Sequence, residues 1–259
     1  MKTVDYEALI SEIVGTTIDR TKWTKAGTLS DHAAGEPFEK FVYQYLKTEY
    51  PEGVFKQHDF QNDLYLKNPQ VVSLDERNAL FNSPTALFLL NYENNEAGDW
   101  TPQNIFEEKQ NDTADILYHA ESHFELIDVK TRNISKNSQP PNIISAYKLA
   151  KACAYMIDNE EFDNIGMNYI EVDWIEDKEK LMCCDAHYGN LFKSNPTTLY
   201  INWAAAMQIQ FHVCDLDQTW KGTRMKWATE YIRIFVNSAR HRVRKMEETY
   251  ITPFLKYIQ

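Results

Sequence analysis

Hydrophobic residues recur along the chain with two different periods. In "EPFEKFVYQYLKTEY", residues 36–50, Phe38, Phe41, Val42, Tyr45 and Leu46 fall three and four apart. That spacing predicts an amphipathic helix with Pro37 in its first turn. Residues 75–90 keep a helical pattern that breaks at Pro84. "ADILYH" and "FELIDVKTR" alternate instead, and predict two strands joined by a tight turn at "AES". "NIISAYKLAKACAYMID", 142–158, predicts a helix with Asn142 as its cap. "MNYIEVDWI" and "EKLMCCDAH" predict a second strand pair around "EDK". "LYINW" and "QIQFHV" alternate too, with Asn202, Gln208 and Gln210 off the apolar face. A long helix is expected over about 223–250. Together these elements predict an α/β protein with a mixed central β-sheet flanked by helices on both sides.

No repeat, low-complexity tract or Gly/Ser-rich linker divides the 259 residues, so a single domain over 1–259 is expected, with a looser segment at 91–100. The longest apolar runs, such as "ALFLL", are too short to span a bilayer, and the acidic N-terminus lacks the features of a signal peptide. Cys153, Cys183, Cys184 and Cys214 have no metal-type spacing and read as thiols of a reducing cytoplasm. His119 and His123 flank the turn at "AES" and are expected to be exposed.

The net charge of −11 argues at first against a nucleic-acid partner. Its distribution changes that. Val129–Ile157 and Ala186–Cys214 contain no acid, although the chain-wide rate, 38 in 259, puts about four in each such window. An acid-free surface on an acidic protein can serve as a polyanion's dock, although two apolar or buried segments would look the same. The basic run "SARHRVRK", 238–245, reads as a solvated helix face with phosphate contact as the alternative.

The chemistry concentrates in "TADILYHAESHFELIDVKTRN", 113–133. Asp115 opens one predicted strand; Asp128 and Lys130 close the next on the face shared with Phe124 and Leu126. Carboxylates beside an apolar face cost free energy unless a cation compensates them. A hard dication such as Mg²⁺ does so with one or two carboxylates, and an adjacent lysine can orient a water or help deprotonate it. Those parts suit phosphodiester hydrolysis. An Asp–x–Lys ion pair at a sheet edge with no chemistry fits the spacing as well.

Asp115, Asp128 and Lys130 also resemble the PD–(D/E)xK nuclease signature, with Ala114 in place of its proline. "SDHAAGEPFEK", "NIFEEKQNDTADIL", "DVKTRNISK", "PNIISAYKLA" and "LYINWAAAMQIQFHV" resemble HincII-type restriction endonucleases, in order and over most of the chain. The resemblance implies a restriction-endonuclease-like fold and a Mg²⁺-dependent homodimer that cuts double-stranded DNA at the palindrome GTYRAC, between Y and R, leaving blunt ends. It implies Asp115, Asp128 and the Val129 carbonyl as metal ligands, and Lys130 as the group that positions the attacking water. Thr131 would support the lysine, and His32 would lie near the cleaved phosphate. Asn142 and Asn202 become base readers, since an amide presents the donor and acceptor that an adenine edge needs. Gln139, before two prolines, becomes a minor-groove wedge, and Gln110 a further DNA contact. A structure-specific junction nuclease, or a DNA-binding protein without hydrolysis, are the other readings of the same residues.

Overall fold

The structure, a computed structural model, describes residues 3–19, 36–57, 59–60, 73–90, 113–121, 123–178 and 180–258. His32, Gln110 and the segment 91–100 lie outside these residues.

Helix α1 (Tyr6–Ile13) buries Leu9 and Ile13, one turn apart, and Asp5 caps it by accepting from the Ala8 N–H at 3.0 Å. Strand β1 (Thr17–Asp19) follows. Helix α2 (Glu36–Glu49) buries Phe38, Val42 and Leu46 of the predicted stripe, together with Pro37, leaves Phe41 and Tyr45 half-buried at its edge, and leads into β2 (Val54–Lys56). The expected break at Pro84 separates α3 (Leu74–Phe81) from α4 (Pro84–Leu89). Pro84 opens α4, where a missing N–H costs nothing, and Ser83 accepts from the Ala86 N–H at 3.2 Å.

Strands β3 (Ile116–Ala120) and β4 (His123–Asn133) form the predicted hairpin, with Glu121 at φ 57° in its turn. Then come β5 (Asn142–Ser145), α5 (Ala146–Asp158), β6 (Ile165–Asp177), β7 (Lys180–Asn190), β8 (Ile201–Asn202), β9 (Gln208–Gln210) and α6 (Arg224–Met246). Helix α6 continues through a π-turn at Glu247–Ile251 and a 3-10 segment at Thr252–Tyr257, close to the expected extent.

The main sheet has the order β1-β7-β6-β4-β3-β2; β4 and β6 run parallel and the remaining pairs antiparallel. Strands β5, β9 and β8 make a second, three-stranded sheet. One face of the main sheet packs Phe124, Leu126, Met167 and Tyr169 against α5 and the start of α6, including Leu149, Met156, Trp227 and Tyr231. The other packs Ile116, Ile127, Ile170 and Val172 against Leu9 and Ile13 of α1 and Phe38, Val42 and Leu46 of α2. The mixed sheet between helical layers is the expected fold class. Among the described residues no helix is long and apolar enough to cross a membrane.

Three local expectations need correction. Asn142 does not cap a helix: residues 142–145 are extended and pair with β9, and Ser145 caps α5 through the Lys148 N–H at 3.4 Å. The adjacent β-branched Ile143 and Ile144 are both buried, which an extended segment between two layers allows. Gln208 is buried at 5% exposure, because the small sheet packs on the main core. Nor are the turn histidines exposed. His119 stacks on Phe124 at 4.5 Å, and His123 binds the Asp163 carbonyl and Glu125 at 3.0 and 3.3 Å.

Candidate active site

Asp115 sits one residue before β3, where the hairpin register sets it opposite Asp128. Its backbone is held from two sides. Its N–H donates to the Ile127 carbonyl at 3.2 Å, and its own carbonyl accepts from the Gln57 N–H at 3.1 Å. The fully buried Gln57 side chain also accepts from the Ala114 N–H at 2.9 Å. The Val129 N–H donates to Asp115 Oδ2 at 2.7 Å, so this carboxyl lies against the Asp128–Val129 peptide. Asp128 is 5% exposed and receives Lys130 Nζ at 3.0 Å on Oδ1 and 2.8 Å on Oδ2.

The electrostatics follow from this crowding. Burial, and then the charge of Asp128, push the Asp115 carboxyl up from 3.8 to about 8, against the pull of Lys130 and the Val129 N–H. Burial alone would lower the Lys130 ammonium, but its ion pair with Asp128, helped by Asp115 and Glu39, holds it above the ordinary lysine value. Of the two lysine roles left open by the sequence, orienting and deprotonating a water, this direction favours the first. Glu39 was not singled out by the sequence, where an acid in the first turn of α2 reads as a partner of the helix dipole. Burial raises its carboxyl, and Asp128 adds to the rise.

Lys130, Val129, Thr131 and Glu39 line a cavity of about 700 Å³ together with Gln139 and Asn142. Asp115 and Asp128 do not line it; Lys130 lines it and joins it to Asp128. Gln139 is exposed in the loop between β4 and β5, and Thr131 is half-buried on β4. Asn202 is outside the cavity lining but connected to it. Asn202 Nδ2 donates to Gln210 Oε1 at 2.7 Å, and Gln210 Nε2 donates to Asn142 Oδ1 at 2.8 Å. A polar row thus crosses the small sheet from β8 through β9 to β5. The pairing of β5 with β9 also joins the two acid-free windows, which are far apart in sequence.

The family model for restriction endonuclease HincII matches residues 9–258. The chain is similar to the type II restriction enzyme HindII of Haemophilus influenzae, 53% identical over 253 residues, covering 98% of this chain and 97% of the relative. It is similar to the type II restriction enzyme HincII of Haemophilus influenzae with the same identity and coverage. The chain belongs to the HincII restriction endonuclease family. The NlaIV restriction endonuclease, a solved structure, aligns over 92% of this chain and 90% of its own at a TM-score of 0.40 and 8% identity, too slight a likeness to bear on the site.

Within this HincII-family chain, a second charged layer adjoins the first. Glu171 is the parallel-strand neighbour of Lys130 and is fully buried. It accepts from the Val213 N–H at 2.6 Å and lies 2.7 Å from His212 Nδ1, and the His212 ring reaches the cavity. Two residues further along both strands, Arg132 holds Asp173 through a two-pronged hydrogen bond. Asp173 carries Arg132 further above its ordinary range. Neither pair was read from the sequence, since about forty residues separate the partners in each.

Proposed function

We propose that this chain is a Mg²⁺-dependent, homodimeric type II restriction endonuclease that cuts duplex DNA at GTYRAC, leaving blunt ends. The observation that carries the reading is the carboxyl pair with its lysine: a half-buried Asp115 whose carboxyl is pushed up to about 8, an Asp128 at 5% exposure, and Lys130 bridging from Asp128 to the cavity. The donor set fits a hard dication. Among the described residues no group of three or more His, Cys, Asp or Glu could hold a metal, but Mg²⁺ needs only one or two carboxylates and keeps several waters. Asp115, Asp128 and the Val129 carbonyl would hold it. When bound, Mg²⁺ supplies a Lewis acid for the phosphoryl oxygen and makes water more acidic.

The chain's own residues do the rest. Lys130 keeps its proton, orients the attacking water and places positive charge beside the phosphate. Thr131 supports the lysine, and His32 stands near the cleaved phosphate. The joined acid-free windows provide the surface a polyanion can approach despite the acidic total. Asn142 and Asn202 read bases, Gln139 enters the minor groove with Pro140 and Pro141 stiffening its loop, and Gln110 adds a contact. The whole chain acts as one domain in the cytoplasm.

Plasmid digestion with Mg²⁺ followed by sequencing of the ends tests this directly. Blunt ends between Y and R of GTYRAC are expected. No cleavage, or cleavage only at branched DNA, overturns it. Pyrimidine–purine steps are the easiest to unstack, so a duplex with a matched purine–pyrimidine centre should be cut at least about a hundredfold more slowly. Equal rates would remove the deformation account.

The polar row yields a separate expectation. Gln210→Ala leaves both asparagines without their shared partner. Site-specific cleavage should fall by about 1–3 kcal/mol of discrimination against single-base variants, while the metal requirement stays as it was. Rates on the cognate duplex and its single-base variants measure this, and unchanged selectivity would show that the row is only structural.

A further inference from the structure

The C-terminal segment from Val236 to Ile258 presents an apolar surface that nothing among the described residues covers. Helix α6 is 23 residues long, yet its buried side chains, Trp227, Ala228 and Tyr231, all fall near its start. From Val243 to Ile258 every residue is exposed. Val236, Ala239, Val243, Met246 and Tyr250 follow one another at intervals of three, four, three and four. The large members of this set are 37%, 67%, 46% and 65% exposed in chain order. Phe254, Tyr257 and Ile258 extend the apolar surface beyond the helix, at 58%, 73% and 81%. A run of exposed large apolar side chains of this kind marks a contact surface. A strict three–four alternation is narrower than a core-facing stripe and is the seam of a helix pair.

We propose that this seam is where two copies of the chain meet, helix against helix, antiparallel about a twofold axis between Val243 and Met246. The inference rests on the homodimer reading above and names its surface. The sequence of the seam is self-complementary under that operation. Val243 meets Met246 of the other copy, and the small Ala239 meets the large Tyr250. Beside the seam, Arg240 flanks Ala239 and Glu247 flanks Met246, so the same reversal sets each Arg240 against a Glu247. Arg240, Val243 and Glu247 border one shallow groove of about 570 Å³ on this face. Such a contact is isologous and closes as a dimer.

Sedimentation velocity on the full chain without DNA is the test. Wild type is expected to be a dimer at micromolar concentration. Val243→Glu with Met246→Glu should raise the dimer dissociation constant by about a hundredfold or more, giving monomers with unchanged circular dichroism. Arg240→Glu should weaken the dimer by about tenfold, and adding Glu247→Arg should restore it, a rescue that misfolding cannot imitate. A dimeric wild type whose dimerisation survives the Val243 and Met246 changes overturns the surface assignment and leaves the homodimer reading standing. A monomeric wild type overturns both. If it is monomeric and the same changes instead abolish duplex binding, the face serves DNA through its basic run and the proposal is wrong.

Discussion

Asp115→Asn is expected to slow cleavage of a cognate duplex by about a thousandfold or more, because in the function proposed above it removes one of the two carboxylates that would hold the dication and leaves a neutral amide in its place. The same change should make the metal-free protein more stable. The Asp115 carboxyl titrates near 8 in the folded chain and at 3.8 in an ordinary environment. Its folded value is raised, so the stability it contributes is fully present below about pH 4 and lost as pH rises to about 8. Asparagine has no such loss and can still accept the Val129 N–H. Thermal unfolding in a chelator should therefore give matching curves near pH 4 and an advantage of roughly 5 °C for the variant at pH 8. A variant less stable than wild type at pH 8 would mean that Asp115 is a structural carboxylate with a partner of its own.

Lys130→Ala carries the second large effect. Loss of the ammonium should slow cleavage by about 10²- to 10³-fold, the cost of losing one positioned donor at developing negative charge. Cognate duplex binding should change little. Stability moves the other way from Asp115→Asn: Asp128 is left buried without its cation, a loss of up to about 3 kcal/mol in metal-free urea unfolding. Adding Asp128→Asn to Lys130→Ala should return much of that loss, since no charge then remains unpaired. Additive losses would contradict the ion-pair account. The contrast separates two roles that cleavage assays alone would merge, a carboxyl proposed to bind a cation and a lysine paired with Asp128.

What the sequence reveals here is local. The stripe of α2, the break at Pro84 and the β3–β4 hairpin follow from periodicity and turn chemistry within a few residues. Asp115 and Asp128 come together for the same reason: a tight hairpin makes their pairing short-range. The misreading at Asn142 arose because "NIIS" is too short to show a period and a real helical pattern follows it directly. Its strand partner, β9, lies more than sixty residues away. The same distance hid the Asn142–Gln210–Asn202 row, in which Gln210 appeared only as an off-face polar residue. Glu171 with His212 and Arg132 with Asp173 depend on tertiary pairing with β6, and no spacing in the sequence announces it. A tight turn suggests solvent around His119 and His123, whereas Phe124 stacks on the first ring and Glu125 pairs with the second.

The central claim is that Asp115 and Asp128 together bind a divalent cation. The most direct measurement is titration of Mn²⁺, followed through the paramagnetic resonance of the free ion, into wild type and the Asp115→Asn/Asp128→Asn variant, each bound to cognate duplex. At pH 8.5 wild type should take up the ion at least about a hundredfold more tightly than the variant, and lowering the pH to 6.5 should weaken wild type by about tenfold or more while leaving the variant unchanged. Equal affinities in the two proteins, with the same response to pH, would contradict the account.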